Sequence, residues 1–263
     1  MNPNDAPPDA EAVLSAPKIW QERFDIRSYE VDGRNRLSLI SIFNFLQHAA
    51  SNHAAALGVS TRRLLRGHHT WLLSRLKIKI EWLPGWRDSI KVRTWPSGSR
   101  RLFALRDFQM QDHRNRVFAK AVSAWLVMDL QRRRPVRVEP FVEKFALLAG
   151  GHCLPDGLEK LPAPASCPAE KTFAVRYRDL DLNQHVNNAG FVEWLVESVP
   201  LKVLQRSLPV ELEINFLAEA FYEDRILAAC RPLGAADTCF DHILARQQDG
   251  RELLRARSMW RPA

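Results

Sequence analysis

The chain has 263 residues, 46% of them hydrophobic and 26% charged, with a formal net charge of +8 at pH 7. That length holds one large domain or two small ones with a sizeable core, in the composition of an ordinary globular protein rather than a low-complexity one. The positive surplus fits an acidic partner of some class and does not choose among nucleic acid, anionic membrane and acidic protein.

Residues 1–17, MNPNDAPPDAEAVLSAP, are rich in Pro, Ala and Asp, without the basic and apolar regions of a signal peptide, and are predicted to form a disordered tail. From Leu37 to Thr61 there is no Lys, Arg, Asp or Glu, yet Ser38, Ser41, Asn44, Gln47, His48, Ser51, Asn52 and His53 carry too many polar groups for lipid. The segment predicts a helix buried inside the protein, with no membrane span. Period-two alternation then predicts antiparallel strands at 76–82, 89–95, 103–111 and 117–128, punctuated by Gly85, Gly98 and the 112-DHRN-115 cluster. About 130–172, Pro- and Gly-rich and without periodicity, is predicted as a surface-running linker. An extended "VRYRDLD", a helix and strands at 210–219, 225–232, 239–248 and 252–260 follow. The expected units are 18–130, a linker over 131–172, and 173–263. Cys153, Cys167, Cys230 and Cys239 have no C-x-x-C spacing, which speaks against a zinc site or redox pair and for a reducing, cytoplasmic setting.

The chain repeats itself. With Asp32 placed on Asp181, Leu37 falls on Val186, Phe43 on Val192, Phe45 on Trp194 and Leu46 on Leu195. With Asp88 placed on Asp224, Ile78 meets Ile214, Ile90 meets Ile226 and Pro96 meets Pro232. Near the end, Ala121, Ser123 and Trp125 correspond to Ala256, Ser258 and Trp260. Each copy reads as strand, long helix and antiparallel sheet, an α+β arrangement in which the sheet must wrap an uncharged helix.

The densest chemistry is in 179-DLDLNQHVNNAGFVEWLVES-198. In an extended segment Asp181, Asn183 and His185 project from one face. Val186, Phe191, Trp194, Leu195 and Val199 then form a helical stripe, with Asn187 or Asn188 as N-cap. Polar side chains thus meet unpaired N–H groups and the positive end of a helix, a place to polarise a carbonyl. The plain alternative is an Asx-rich turn before a helix, with His185 exposed. The repeat favours chemistry: Asp32 remains in the first copy, while Asn183 becomes Arg34 and His185 becomes Arg36. Glu219 replaces Leu83 of the first copy, as an exposed edge residue or as a site residue.

These residues closely resemble the D-x-N-x-H-V-N-N signature of acyl-acyl-carrier-protein thioesterases, plant and bacterial fatty-acyl enzymes. The resemblance runs from about Lys18 to the C-terminus and includes "TWLLSRLKIKI" and "EAFYED". It implies a tandem (double) hotdog fold, each unit a long helix wrapped by an antiparallel sheet, and hydrolysis of fatty acyl thioesters. By position it implies catalytic roles for Asp181, Asn183, His185 and Glu219. Asp181 would be nucleophile or water-activating base, Asn183 would orient the carboxylate or thioester, His185 would move a proton or stabilise charge, and Glu219 would hold or deprotonate the water. Plant members follow the glutamate with a cysteine; here Ala220 follows, and Asp224 is five residues beyond the glutamate rather than four. A cysteine nucleophile is therefore not implied.

Further expectations are the helix start at Asn187, Asn188 and Ala189 as oxyanion site, Phe43, Leu46 and Trp71 along an acyl chain housed by the first copy, and no cofactor or metal. Arg132, Arg133, Arg134 and Arg137 are candidates for docking an acidic acyl carrier protein, as are Arg62, Arg63, Arg66, Arg100 and Arg101. The assembly is a monomer or a homodimer. Two other readings compete: an acyl-coenzyme A thioesterase of the same fold, and a non-catalytic acyl-binding or regulatory hotdog protein. Charge alone supports a nucleic-acid role, and no recognition motif joins it.

Overall fold

The computed structural model describes residues 16–142, 151–154, 158–164, 171–181, 183–234 and 238–263. The expected tail up to residue 15, parts of the linker and Cys167 lie outside this set.

The uncharged segment forms α1 (Leu39–Ala56), started by Ser38, whose Oγ accepts the Ser41 N–H at 3.2 Å. Its buried face carries Leu39, Ile42, Phe43, Phe45, Leu46, Ala49, Ala50 and His53. Phe43 and Leu46 are 0% and 1% exposed, burial worth about 2–3 kcal/mol each. A short α2 (Thr61–Arg66) follows. The strands of the first half are β1 (Trp20–Asp25), β2 (His69–Ile80), β3 (Ser89–Arg100), β4 (Phe103–Asp112) and β5 (Val117–Asp129). After β6 (Arg134–Val136) and α3 (Glu139–Val142) come β7 (Lys171–Ala174), α4 (Asn188–Ser198), α5 (Leu201–Arg206), β8 (Ser207–Phe216), β9 (Arg225–Pro232), β10 (Cys239–Arg246) and β11 (Glu252–Pro262).

Among the described residues all strands join one sheet in the order β1-β3-β4-β5-β2-β8-β11-β10-β9-β7, with β6 added to β5. Outward from the centre, β2-β5-β4-β3-β1 matches β8-β11-β10-β9-β7. At the antiparallel β2–β8 seam Lys77 pairs with its own counterpart Glu213, while Leu76 pairs with Ile214, the counterpart of Ile78, and Ile78 with Leu212, the counterpart of Leu76, so a pseudo-two-fold axis passes through the Lys77–Glu213 pair. Lys77, 7% exposed, lies 3.2 Å from Glu211 and 3.6 Å from Glu213 across that seam. The two long helices pack against each other inside the curved sheet, and their apolar faces share one core. This is the tandem hotdog expected from the repeat and the resemblance.

The edge strands β1 and β7, and the short β6 inside the expected linker, add to the strands read from periodicity; the "YRD" of the expected extended "VRYRDLD" is a 3-10 turn instead, as is Ser28–Glu30 in the first copy. Glu30 and Asp179 explain this. Their carboxylates accept the N–H of Arg27 and Arg176, each at 2.8 Å, and wind the chain by side-chain capture. The described linker pieces are held by buried polar groups of the sheet: Asp107 accepts the Cys153 N–H at 2.7 Å and Asn215 accepts the Leu161 N–H at 2.7 Å. Among the described residues no helix is long and apolar enough to cross a membrane.

Candidate active site

The segment before α4 is a tight turn and not an extended strand, which corrects the alternation argument. Asp181 Oδ1 accepts the N–H of Asn183 at 2.8 Å and of His185 at 3.2 Å. The Asp181 N–H donates to the His185 carbonyl at 2.7 Å, and Gln184 takes φ 63° to close the loop. Capturing two N–H groups with one carboxylate oxygen is a short-range gain that an extended strand lacks. Asp181 Oδ2 is left with the Asn183 side-chain amide, 3.5 Å away, as its neighbour.

The turn aims His185 across at the segment following β8. His185 Nδ1 is 3.3 Å from Glu219 Oε1, and the ring meets Phe221 edge-on with centroids 5.1 Å apart. The Val186 N–H donates to the Ala220 carbonyl at 2.9 Å, which locks the two segments together. Ala220, next to Glu219, is fully buried. Glu219 and His185 keep side-chain exposures of 39% and 33%, so both are open to solvent.

Asn187 is the N-cap: its Oδ1 accepts the Ala189 N–H at 3.0 Å, and its carbonyl accepts the Gly190 N–H at 2.8 Å. Of the three residues expected as oxyanion site, Ala189 therefore has its N–H engaged. The Asn188 N–H has no partner among the described residues and sits at the positive end of α4. Sequence reasoning passed over Gln47 of α1. Its Nε2 donates to Asn187 Oδ1 at 3.1 Å and its Oε1 accepts from Asn188 Nδ2 at 3.0 Å, so the first half clamps the helix start of the second. The signal was a lone glutamine inside the apolar run 39-LISIFNFLQHAA-50.

A cavity of about 610 Å³ opens in the N-terminal half between α1 and the sheet. Ala50, Ser51 and Ala54 line it, at spacings of three, four and seven residues from Gln47, so the cavity begins on the α1 stripe that carries the clamp. Trp71 is on its wall, with Nε1 donating to the Val59 carbonyl at 2.7 Å. Phe43 and Leu46 belong to the packed core instead. Arg62, Arg63 and Arg66 on α2 and Arg132, Arg133, Arg134 and Arg137 around β6 are exposed, and their elements share a small core of Leu64, Val127 and Val138. Arg100 and Arg101 are exposed at the β3–β4 turn. No group of three His, Cys, Asp or Glu side chains converges on a metal position among the described residues.

Fold and site together define a double-hotdog protein with a cluster of Asp, His and Glu side chains at the start of its second long helix, α4. Models of the acyl-ACP thioesterase N-terminal and C-terminal domains match residues 17–145 and 163–262, and the chain belongs to the acyl-ACP thioesterase family. A chloroplastic acyl-[acyl-carrier-protein] hydrolase of Cuphea viscosissima is 28% identical over 260 residues, covering 93% of this chain and 63% of the relative. A chloroplastic palmitoyl-acyl carrier protein thioesterase of Cuphea hookeriana is 29% identical over 261 residues, covering 93% and 62%. The chain thus spans less than two thirds of the length of these two relatives. Among solved structures, an acyl-ACP thioesterase from Bacteroides thetaiotaomicron superposes with a TM-score of 0.83 at 24% identity, covering 93% of this chain and 98% of that one. The 12:0-ACP thioesterase from Umbellularia californica also gives 0.83 at 24% identity, covering 94% and 98%. At that identity these likenesses establish the shared fold.

Proposed function

We propose that the protein hydrolyses fatty acyl-acyl-carrier-protein thioesters to the free fatty acid and the carrier thiol. The observation that carries this reading is the His185–Glu219 pair at 3.3 Å on the turn that opens α4, whose Asp181 keeps an oxygen, Oδ2, with no cation on it among the described residues. The thioester carbonyl lies at the Asn188 N–H, where the helix dipole favours developing negative charge. Asp181 Oδ2 attacks the carbonyl carbon or draws the proton from a water that does so. Asn183 orients that oxygen through its amide. His185, oriented by Glu219, carries the proton towards the departing thiolate, and Glu219 holds the water. Gln47 fixes Asn187 and Asn188, and the acyl chain runs from there into the N-terminal cavity past Trp71.

The arginines of α2 and of the β5–β6 turn, on one end of the first half, are the proposed docking surface for the acidic carrier. The 18–130 and 173–263 units, joined by 131–172, divide the labour into acyl housing and chemistry. The protein acts as a monomer or homodimer in the cytoplasm; its three described cysteines are free thiols. Purified protein tested against a chain-length panel of acyl carrier proteins and the matching acyl-coenzyme A set, with thiol release as readout, is expected to prefer the carrier protein. Preference for coenzyme A would move it to the rival substrate class. Binding of acyl ligand with no thiol release from either set would sink the catalytic reading.

A further inference from the structure

The wall of the N-terminal cavity carries a cation that contacts no carboxylate among the described residues. Arg106, on β4, lines the wall. Its Nη1 donates to His53 Nδ1 at 3.1 Å and to Thr94 Oγ1 at 3.1 Å. His53 is neutral at pH 7: burial, and next the Arg106 charge, push its pKa down to about 4. Its Nε2–H then donates to the Pro17 carbonyl, 3.0 Å away. Both partners of the guanidinium are therefore uncharged. Burial brings Arg106 itself down to about 10, with no carboxylate pulling the other way, and it stays charged at pH 7. Nε and Nη2 have no partner among the described residues.

The matching point of the C-terminal half is built differently. Arg106 pairs with Pro96 on β3 and Ser123 on β5, and Phe240 pairs with Pro232 on β9 and Ser258 on β11, so the two occupy one register position about the pseudo-two-fold. Phe240 is 1% exposed and packs with Val199, Val203, Cys230 and Trp260. The sheet accepts an apolar side chain here, and nothing in its construction asks for an arginine. A wholly aliphatic tail pressed against Arg106 would strip water from its free N–H donors and give no acceptor in return. Glu139 lines the same cavity with Oε2 unpartnered, so a negatively charged tail is disfavoured, while Arg62, also on the wall, already has a partner. His53 lies six residues beyond Gln47 on α1, roughly 9 Å along the axis at 1.5 Å per residue. Whatever meets Arg106 therefore sits well down the chain from the thioester.

Resting on the reading that this cavity takes the acyl chain, we propose that it selects chains bearing a neutral oxygen function, a hydroxyl or oxo group, remote from the thioester, with Arg106 as the specificity-determining donor. The test compares wild type, Arg106→Leu and Arg106→Lys on acyl-acyl-carrier-protein thioesters, as a plain saturated chain-length series and as matched series with one hydroxyl or oxo group in the distal part. Wild type is expected to favour an oxygenated chain at one length by roughly tenfold or more in kcat/KM, the scale of one hydrogen bond to a charged group. Arg106→Leu reverses that preference and Arg106→Lys keeps part of it. Calorimetric binding of the corresponding free acids to the same three proteins separates the layers. A binding preference for oxygenated acids that Arg106→Leu abolishes supports the inference even where no thioester is cleaved, an outcome that removes only the catalytic reading. Equal kcat/KM and equal binding of plain and oxygenated chains by wild type overturn the inference, with no variant needed. A preference unchanged in Arg106→Leu, or a stronger one for a terminal carboxylate than for the hydroxyl, overturns it as well.

Discussion

In the turn before α1, Asp32 Oδ1 accepts the N–H groups of Arg34 and Arg36 at 2.9 and 3.0 Å; in the turn before α4, Asp181 Oδ1 accepts those of Asn183 and His185 at 2.8 and 3.2 Å. Asn35 and Gln184 take the same left-handed step, at φ 56° and 63°. Asp112, with Arg114, Asn115 and Arg116, builds the turn a third time between β4 and β5. The other carboxylate oxygen separates the three. Arg36 holds Asp32 Oδ2 at 2.6 and 2.8 Å, and Arg116 holds Asp112 Oδ2 at 2.8 Å. His185 leaves Asp181 Oδ2 alone and turns to Glu219. The flanking loops follow suit. A Cβ on Gly85 would lie 2.8 Å from the Asn35 carbonyl, so only glycine lets that loop close on the first turn, whereas its counterpart Phe221 edges the His185 ring. The same turn physics accounts for the aspartate in both copies, and the two differ in that an arginine neutralises the second oxygen only in the first.

The sharpest test pairs two substitutions that preserve the Oδ1 acceptor. Asp181→Asn is expected to lower acyl-carrier-protein thioester turnover by roughly 10³-fold at an almost unchanged melting temperature. Asp32→Asn leaves turnover intact and costs about 1 kcal/mol in urea unfolding, through the lost Arg36 pairing. Equal losses of turnover in both would break the comparison. Next, His185→Arg copies the first turn into the second. With Asp181 Oδ2 clamped and Glu219 deprived of its histidine, kcat is expected to fall about 10²-fold while the unfolding midpoint holds; retained activity would show that Oδ2 need not be free.

A third test compares the halves through their buried histidines. His53 in the first is lowered to about 4, chiefly by burial, and His242 in the second to about 3, also by burial. His242 lies between Ser198 Oγ at 3.2 Å and Ser258 Oγ at 2.7 Å. Both folded-state values lie below the ordinary 6.5, so the unfolded chain takes up protons first as pH falls. Stability is then lost from about pH 6.5 downward, towards pH 4 for His53 and pH 3 for His242. Replacing either residue by Gln should remove about 2 kcal/mol of the loss between pH 7 and pH 5, read from urea unfolding at the two pH values. A profile unaltered by both replacements would refute the buried neutral histidines. The smallest effect belongs to Gln47, whose second-copy counterpart is Val196. Gln47→Leu gives up two hydrogen bonds between the halves, a loss of about 1–2 kcal/mol with a severalfold drop in turnover. A loss of stability alone would make Gln47 a structural clamp.

Much of the scaffold was legible because its signals are local. Alternating side chains marked most strands to within a few residues, with β2 longer than read, and the uncharged 37–61 segment required a wrapping sheet. The offsets joining Asp32 to Asp181 and Asp88 to Asp224 pointed to a duplicated unit. Asp88 and Asp224 turn out to do one job, accepting the N–H of Gly85 at 2.8 Å and of Phe221 at 2.9 Å. The edge strand β7 escaped because it has four residues, mostly exposed, and β1 because Glu22, which accepts from Asn52, sits between Trp20 and Phe24 on its inward face and breaks the apolar alternation. The Asp181–His185 segment was misread as extended because alternation alone does not register which N–H groups a carboxylate will capture.

The sequence by itself determined the two-copy α+β layout, the family signature and the collection of Asp, Asn and His before a helix, since these depend on side-chain type and spacing within a few residues. Only the tertiary structure decided which oxygen of Asp181 is free, that His185 faces Glu219, that Gln47 reaches Asn187 across 140 residues of chain, and that Arg106 stands in a cavity where its counterpart Phe240 fills a core. Each of those depends on groups brought together by folding from distant parts of the chain, and the free energy of such a contact is set by burial and by what else is near, quantities that residue spacing does not carry.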